Sequence, residues 1–176
     1  MAFSNNIIFV ASIFILLSTS FLRVDSDQGT DKLCGATEAP SLCTTCVKKH
    51  VVRTDLDVIE AMLNCANDDA HKIKSEIEDI TTRRAKIEVR LKSALLQCIE
   101  SLTIGYTEGT KAGLIVAQRK LGDASNLITS VVQNLSHCQI ALSDFGPLVP
   151  TTVSSGLFTV DAEYKVVLRL VDLVPA

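Results

Sequence analysis

Residues 54–80 read TDLDVIEAMLNCANDDAHKIKSEIEDI, and this stretch decides the fold. Its apolar side chains Leu56, Ile59, Leu63, Ala66, Ala70, Ile73, Ile77 and Ile80 recur at alternating steps of three and four. A helix turns about 100° per residue, so that spacing stacks all of them on one stripe and leaves the charges to the other faces. The stripe persists across nearly four heptads, the signature of a helix that lies along other helices. Thr54 or Asp55 is placed to cap its start. Thr81 and Thr82 interrupt the pattern and are expected to cap the helix that follows.

The same periodicity extends outward. A second helix is expected over about 83–120, with Ile87, Leu91, Ala94, Cys98, Leu102, Gly105, Gly109, Ala112 and Val116 on one face. Gly105, Gly109 and Gly113 recur every four residues; they are read as weakening the helix by about 1 kcal/mol each relative to alanine, in preference to a bare stripe for close approach. Gly122 and Asp123 read as a turn and cap before a third helix carrying Ala124, Leu127, Val131, Leu135, Cys138 and Leu142. After Pro147 and Pro150, a fourth helix places Leu157, Val160, Tyr164, Val167, Val171 and Val174 on one face. Its valines are poor helix formers, so burial must hold it; a strand there would find no partner strand. The fold class is therefore all-α: an antiparallel up-down-up-down four-helix bundle over 54–176. Residues 27–53, with Pro40 and three cysteines, read as a short N-terminal helical hairpin.

Residues 1–26 read as a secretory signal peptide. An apolar run at 7–17 is followed by the small residues Ser18, Thr19 and Ser20, with cleavage after Ser20 or Ser26. The run is shorter than the roughly 20 residues that span a bilayer. The mature domain, 27–176, is expected to be soluble and monomeric until it meets a partner. With 17 Lys and Arg against 20 Asp and Glu, the chain has a formal charge of −3, which argues against nucleic acid and anionic membranes as partners. Aromatics make up 5% of the chain and Trp is absent, so a sugar-stacking site is not expected. All six cysteines lie beyond the signal segment, and an even count in an exported chain implies disulfides, although six cysteines allow fifteen full pairings.

Catalytic chemistry finds little support. His50, His71 and His137 are scattered, without an H-E-x-x-H or an i, i+4 pair, so no metal is expected. Asp68 and Asp69 are adjacent and diverge on a helix, which reads as a solvated face. There is no nucleophile elbow, P-loop or dinucleotide fingerprint. Cys43-Thr-Thr-Cys46 has redox spacing but lacks the βαβ surroundings that chemistry needs. No cofactor is implied, and the chain reads as a non-enzyme. Helices joined by a short turn run antiparallel; Cys98 lies 24 residues before Gly122 and Cys138 lies 16 after it, so the two face each other only if the turn is centred a few residues earlier, near Arg119.

The cysteine framework carries a resemblance. The C-x-x-T-x-x-P-x-x-C run from Cys34 to Cys43, the A-L-x-x-C of Ala94 to Cys98, and Cys138 late in the next helix resemble the plant family of invertase inhibitors and pectin methylesterase inhibitors. That resemblance spans essentially the whole mature chain. It implies a four-helix bundle behind a helical hairpin, with disulfides Cys34–Cys43 and Cys98–Cys138. Cys46 and Cys65 depart from the family's usual four cysteines. A third bridge, Cys46–Cys65, is expected because free thiols are a liability outside the cell, the alternative being a buried inert Cys65. Asn134-Leu-Ser136 is the one N-glycosylation sequon.

The implied function is that of a secreted protein inhibitor docking one-to-one on the active-site cleft of a plant pectin methylesterase, with cell-wall or vacuolar invertase as the alternative. Invertase-inhibiting members carry Pro-Lys-Phe at the turn into the third bundle helix, where this chain has Asp123-Ala-Ser-Asn126. Leu102 also stands where the family usually places an aromatic. The destination is the apoplast or cell wall, with the vacuole as the alternative. Readings of another class are a helical lipid carrier and a non-inhibitory scaffold.

Overall fold

The computed structural model describes residues 29–83 and 87–175; the signal segment read at 1–26 lies outside them. Residues 29–35 form helix α1, followed by α2 (Pro40–Val47), α3 (Asp55–Arg83), α4 (Val89–Ala117), α5 (Leu121–Ser143), a 3-10 turn at Gly146–Leu148, and α6 (Thr151–Leu173). Helices α3 to α6 make the antiparallel bundle. Each packs on the next, and α6 closes back on α3, so the diagonal pairs hardly meet. The α1–α2 hairpin rests on α3 and touches α6. No described helix is long and apolar enough to cross a membrane.

Local chemistry explains where α3 begins. Thr54 and Asp57 form a reciprocal cap: the Asp57 amide donates to Thr54 Oγ1 at 3.3 Å, and the Thr54 amide donates to Asp57 Oδ2 at 2.8 Å. The Arg53 amide donates to the same oxygen, and Asp55 and Asp57 oppose the helix dipole. Helices α4, α5 and α6 start without a side-chain cap, so their ends are set by what they bury. The core is a single cluster in which Ile59, Met62, Leu63, Ile77, Leu95, Leu102, Ile128, Leu135, Leu157, Tyr164 and Leu170 are essentially inaccessible to water. Each such aliphatic side chain contributes about 1.5–3 kcal/mol.

Several sequence expectations shift. Thr81 and Thr82 do not cap α4; both hydroxyls donate back to the Glu78 carbonyl within the last turn of α3. That helix runs through Arg83, and α4 begins at Val89 instead of near Arg83. The turn between α4 and α5 is not at Gly122 but at 118–120, where Arg119 takes φ 60°. The Arg119 amide bonds the Val116 carbonyl at 2.8 Å and the Lys120 amide the Ile115 carbonyl at 3.2 Å, closing the helix. Burial of Leu121 forces the early start of α5 and leaves Gly122 in its exposed first turn. On α5, Ile128 takes the fully buried place and Leu127 is half-buried beside it.

The glycines divide. A methyl at Gly109 would run into Asn67 Oδ1 and the Tyr164 hydroxyl, whereas one at Gly113 meets nothing within 4 Å. At Gly105 a methyl would press on Val131 at 3.3 Å. Close approach is therefore the reason for Gly109, and simple helix weakening holds for Gly113.

Candidate functional site

The cysteine frame fastens the hairpin to the bundle and two of the bundle helices to each other. Cys34 and Cys43 are bonded, with Cα atoms 5.4 Å apart, and join α1 to α2. The residues between them explain the tight hairpin: Thr37 Oγ1 donates to the Cys34 carbonyl at 2.7 Å, and Pro40 opens α2, where no amide donor is required. Cys46 is bonded to Cys65 (Cα–Cα 6.2 Å), fastening α2 to α3. Cys98 is bonded to Cys138 (Cα–Cα 4.6 Å), fastening α4 to α5. By chain entropy the three loops contribute about 2.7, 3.3 and 4 kcal/mol against unfolding.

At mid-height, α3, α4 and α6 meet around one buried polar pair. The Tyr164 hydroxyl donates to Asn67 Oδ1 at 2.6 Å, and the missing side chain of Gly109 makes room for both. Burial, with the Glu163 charge adding to it, pushes the Tyr164 phenol well above its ordinary pKa, so it stays a donor. Outside this pair lies a groove of about 410 Å³ between α3 and α4, lined by Glu60, Asn64, Tyr106, Thr110 and Leu114. Carboxylates, amides and apolar rims of this kind suit contact with another surface. His71 stands beside Tyr106, ring centroids 6.1 Å apart, and His137 is exposed on α5.

A second polar cluster sits where the hairpin meets the bundle. Glu163 on α6 is 3% exposed. Burial first, then the charge of Asp69 and a hydrogen bond with it, push the Glu163 carboxyl up to about 8, against the opposing pull of Lys49 and Lys72. Asp69 also accepts from Lys72 at 2.6 Å. The solvated-face reading of Asp68 and Asp69 thus holds for Asp68 alone; Asp69 is half-buried and turned towards α6. Sequence reasoning missed Glu163 and Asn67. The available signal was Tyr164, an apolar-stripe residue whose hydroxyl needs a buried partner.

Asn134 lies within α5, half-buried, its Nδ2 donating to the Ser130 carbonyl at 2.9 Å. His50, at the end of the hairpin, has Nε2 3.9 Å from Cys65 Sγ. The residues Asp123 to Asn126 occupy the first turns of α5.

The fold is that of known inhibitors. A pectin methylesterase inhibitor from Arabidopsis, solved in a mutant form, superposes with TM-score 0.70 at 15% identity, over 81% of this chain and 94% of that one. A second solved Arabidopsis pectin methylesterase inhibitor superposes with TM-score 0.65 at 14% identity, over 85% of this chain and 97% of that one. No curated protein matches the chain in sequence. The family described as plant invertase/pectin methylesterase inhibitor matches residues 29–173, all six helices included. The chain therefore belongs to the plant invertase/pectin methylesterase inhibitor family, whose members inhibit enzymes and are not themselves enzymes.

Proposed function

We propose that the mature protein, residues 27–176 after loss of the signal segment, blocks the active-site cleft of a plant pectin methylesterase in a one-to-one complex. The observation that carries the choice of target is the turn into α5. Gln118, Arg119 and Lys120 form it, and Asp123-Ala-Ser-Asn126 follows in the helix. That leaves no Pro-Lys-Phe plug of the kind the resemblance associates with invertase inhibition. The pectin methylesterase inhibitors that share the fold support the same choice.

A disulfide-fastened bundle suits occlusion, because a surface already rigid loses little conformational entropy when it docks. Three bridges also fit an oxidising compartment, and the apoplast is the proposed site of action. The protein is proposed to be monomeric before it binds. A lipid carrier would need an open interior, whereas the seams of α3 to α6 close on one another.

The test is inhibition of purified plant pectin methylesterases, and of cell-wall and vacuolar invertases, by the oxidised mature protein at acidic and neutral pH. Complex mass is read by size-exclusion chromatography with light scattering. Inhibition of an esterase with a one-to-one mass supports the proposal. Inhibition of invertase alone, or of neither class, overturns it.

A further inference from the structure

We infer that Cys46, Cys65 and His50 form a latent binding site for a soft divalent cation, zinc foremost, which opens when the Cys46–Cys65 bridge is reduced. In sequence His50 and Cys65 stand 15 residues apart with no metal-binding motif. The fold brings them together: the two sulfurs and a His50 ring nitrogen lie within 4.8 Å of one another. Ligand atoms of a tetrahedral zinc site stand roughly 3.5–3.8 Å apart, given Zn–S bonds near 2.3 Å and Zn–N bonds near 2.0 Å. The imidazole already approaches that spacing, with Nε2 3.9 Å from Cys65 Sγ. What remains is for the two sulfurs to part.

Backbone hydrogen bonds that do not involve the bridge fix the main chain at His50. Cys46 lies in the last turn of α2 and His50 follows one turn later, where the Lys49 amide donates to the Cys46 carbonyl at 2.9 Å and the His50 amide to the Val47 carbonyl at 3.0 Å. His50 itself is exposed, leaving a way in for a cation and a fourth position for water. The donor set is selective. Two thiolates and a neutral imidazole are soft ligands that favour zinc over calcium or magnesium. Two thiolates also neutralise the charge of a divalent ion, so partial burial carries little desolvation penalty.

Accessibility marks this bridge as the one that opens first. Cys34, Cys43, Cys98 and Cys138 are wholly inaccessible, whereas Cys65 retains 8% exposure and Cys46 3%. Thiol–disulfide exchange needs access to a sulfur, and of the three bridges only this one has residues that keep any contact with solvent, with the exposed His50 beside it. A dithiol reductant supplies the two electrons and two protons: its own thiols become a disulfide, and Cys46 and Cys65 become thiols. Zinc then displaces those two protons to the solvent as it binds the thiolates. The cation would replace the covalent bond as the link between α2 and α3.

The experiment uses the folded, oxidised mature chain. Mild treatment with a phosphine, which takes oxygen from water as it reduces a disulfide, is expected to release two thiols, with alkylation mapping to Cys46 and Cys65. Anaerobic titration with cobalt, then zinc, is expected to show one equivalent bound, a thiolate-to-cobalt charge-transfer band, and protection of both cysteines from alkylation. His50→Ala, at an exposed position, should bind at least tenfold more weakly. Cys46→Ser with Cys65→Ser, its helicity checked by circular dichroism, should lose the band. Thiols released first at other positions, absence of the band, or equal affinity in His50→Ala would each overturn the inference.

Discussion

Replacing Glu163 by Gln should make the protein more stable, by an amount that grows with pH. Glu163 is buried among α2, α3 and α6, facing Asp69 and Lys72 from α3 and Lys49 from the hairpin, with Tyr164 next to it on α6. Its carboxyl titrates near 8 in the folded protein against 4.5 for an unperturbed glutamate. A raised folded value means that the folded state holds a proton the unfolded state has released. The stabilising contribution is therefore complete below pH 4.5 and is lost progressively as pH rises through 8. Each unit is worth about 1.4 kcal/mol, so wild type at pH 7 is weaker by about 3 kcal/mol than the protonated form. Gln keeps the neutral shape and can donate to Asp69 as the protonated acid does. Urea unfolding with disulfides intact, at pH 4, 7 and 9, should place variant and wild type within about 1 kcal/mol at the lowest pH. The variant should lead by about 3 kcal/mol at pH 7 and by more at pH 9. At pH 7 that corresponds to a melting-temperature gain of roughly 10 °C for a domain this size. A gap between the two proteins that is the same at pH 4 and pH 9 would refute the reasoning.

Four further outcomes are expected. Gly109→Ala should cost about 1–3 kcal/mol, because its methyl meets the Asn67–Tyr164 pair. Gly113→Ala, one turn on and unobstructed, should gain up to about 1 kcal/mol; thermal melts that rank the two the other way would show the close approach to be misread. Arg119→Gly should gain about 1 kcal/mol, since only glycine adopts φ 60° without steric cost, and unfolding midpoints at constant slope would measure it. Asn134 is proposed to receive a glycan before α5 folds; the mass of protein secreted from plant cells should fall on deglycosylation and should not change in Asn134→Gln.

Much of the molecule was legible because its signals are local. The three-four spacing of Leu56 to Ile80 is a property of one helix, and every later packing preserves which face those residues share. The reciprocal cap of Thr54 and Asp57 lies within four residues and needs no neighbour. The turn at 118–120 was displaced from its glycine because Leu121 is pulled into the core by other helices, and the strain at Arg119 is tolerated in return. Thr81 and Thr82 looked like caps for the same kind of reason: their side chains can serve either helix, and the local carbonyl of Glu78 wins.

The sequence alone determined four amphipathic helices, an even set of six cysteines, and a lack of catalytic motifs. Tertiary structure decided that Gly109 faces the Asn67–Tyr164 pair, that half-buried Asp69 is turned towards Glu163, and that His50 lies beside the Cys46–Cys65 bridge. Periodicity states only which residues share a face of one helix. The height and rotation at which that face meets another are set by packing every helix at once, and the contacts of Gly109, Asp69 and His50 are made there.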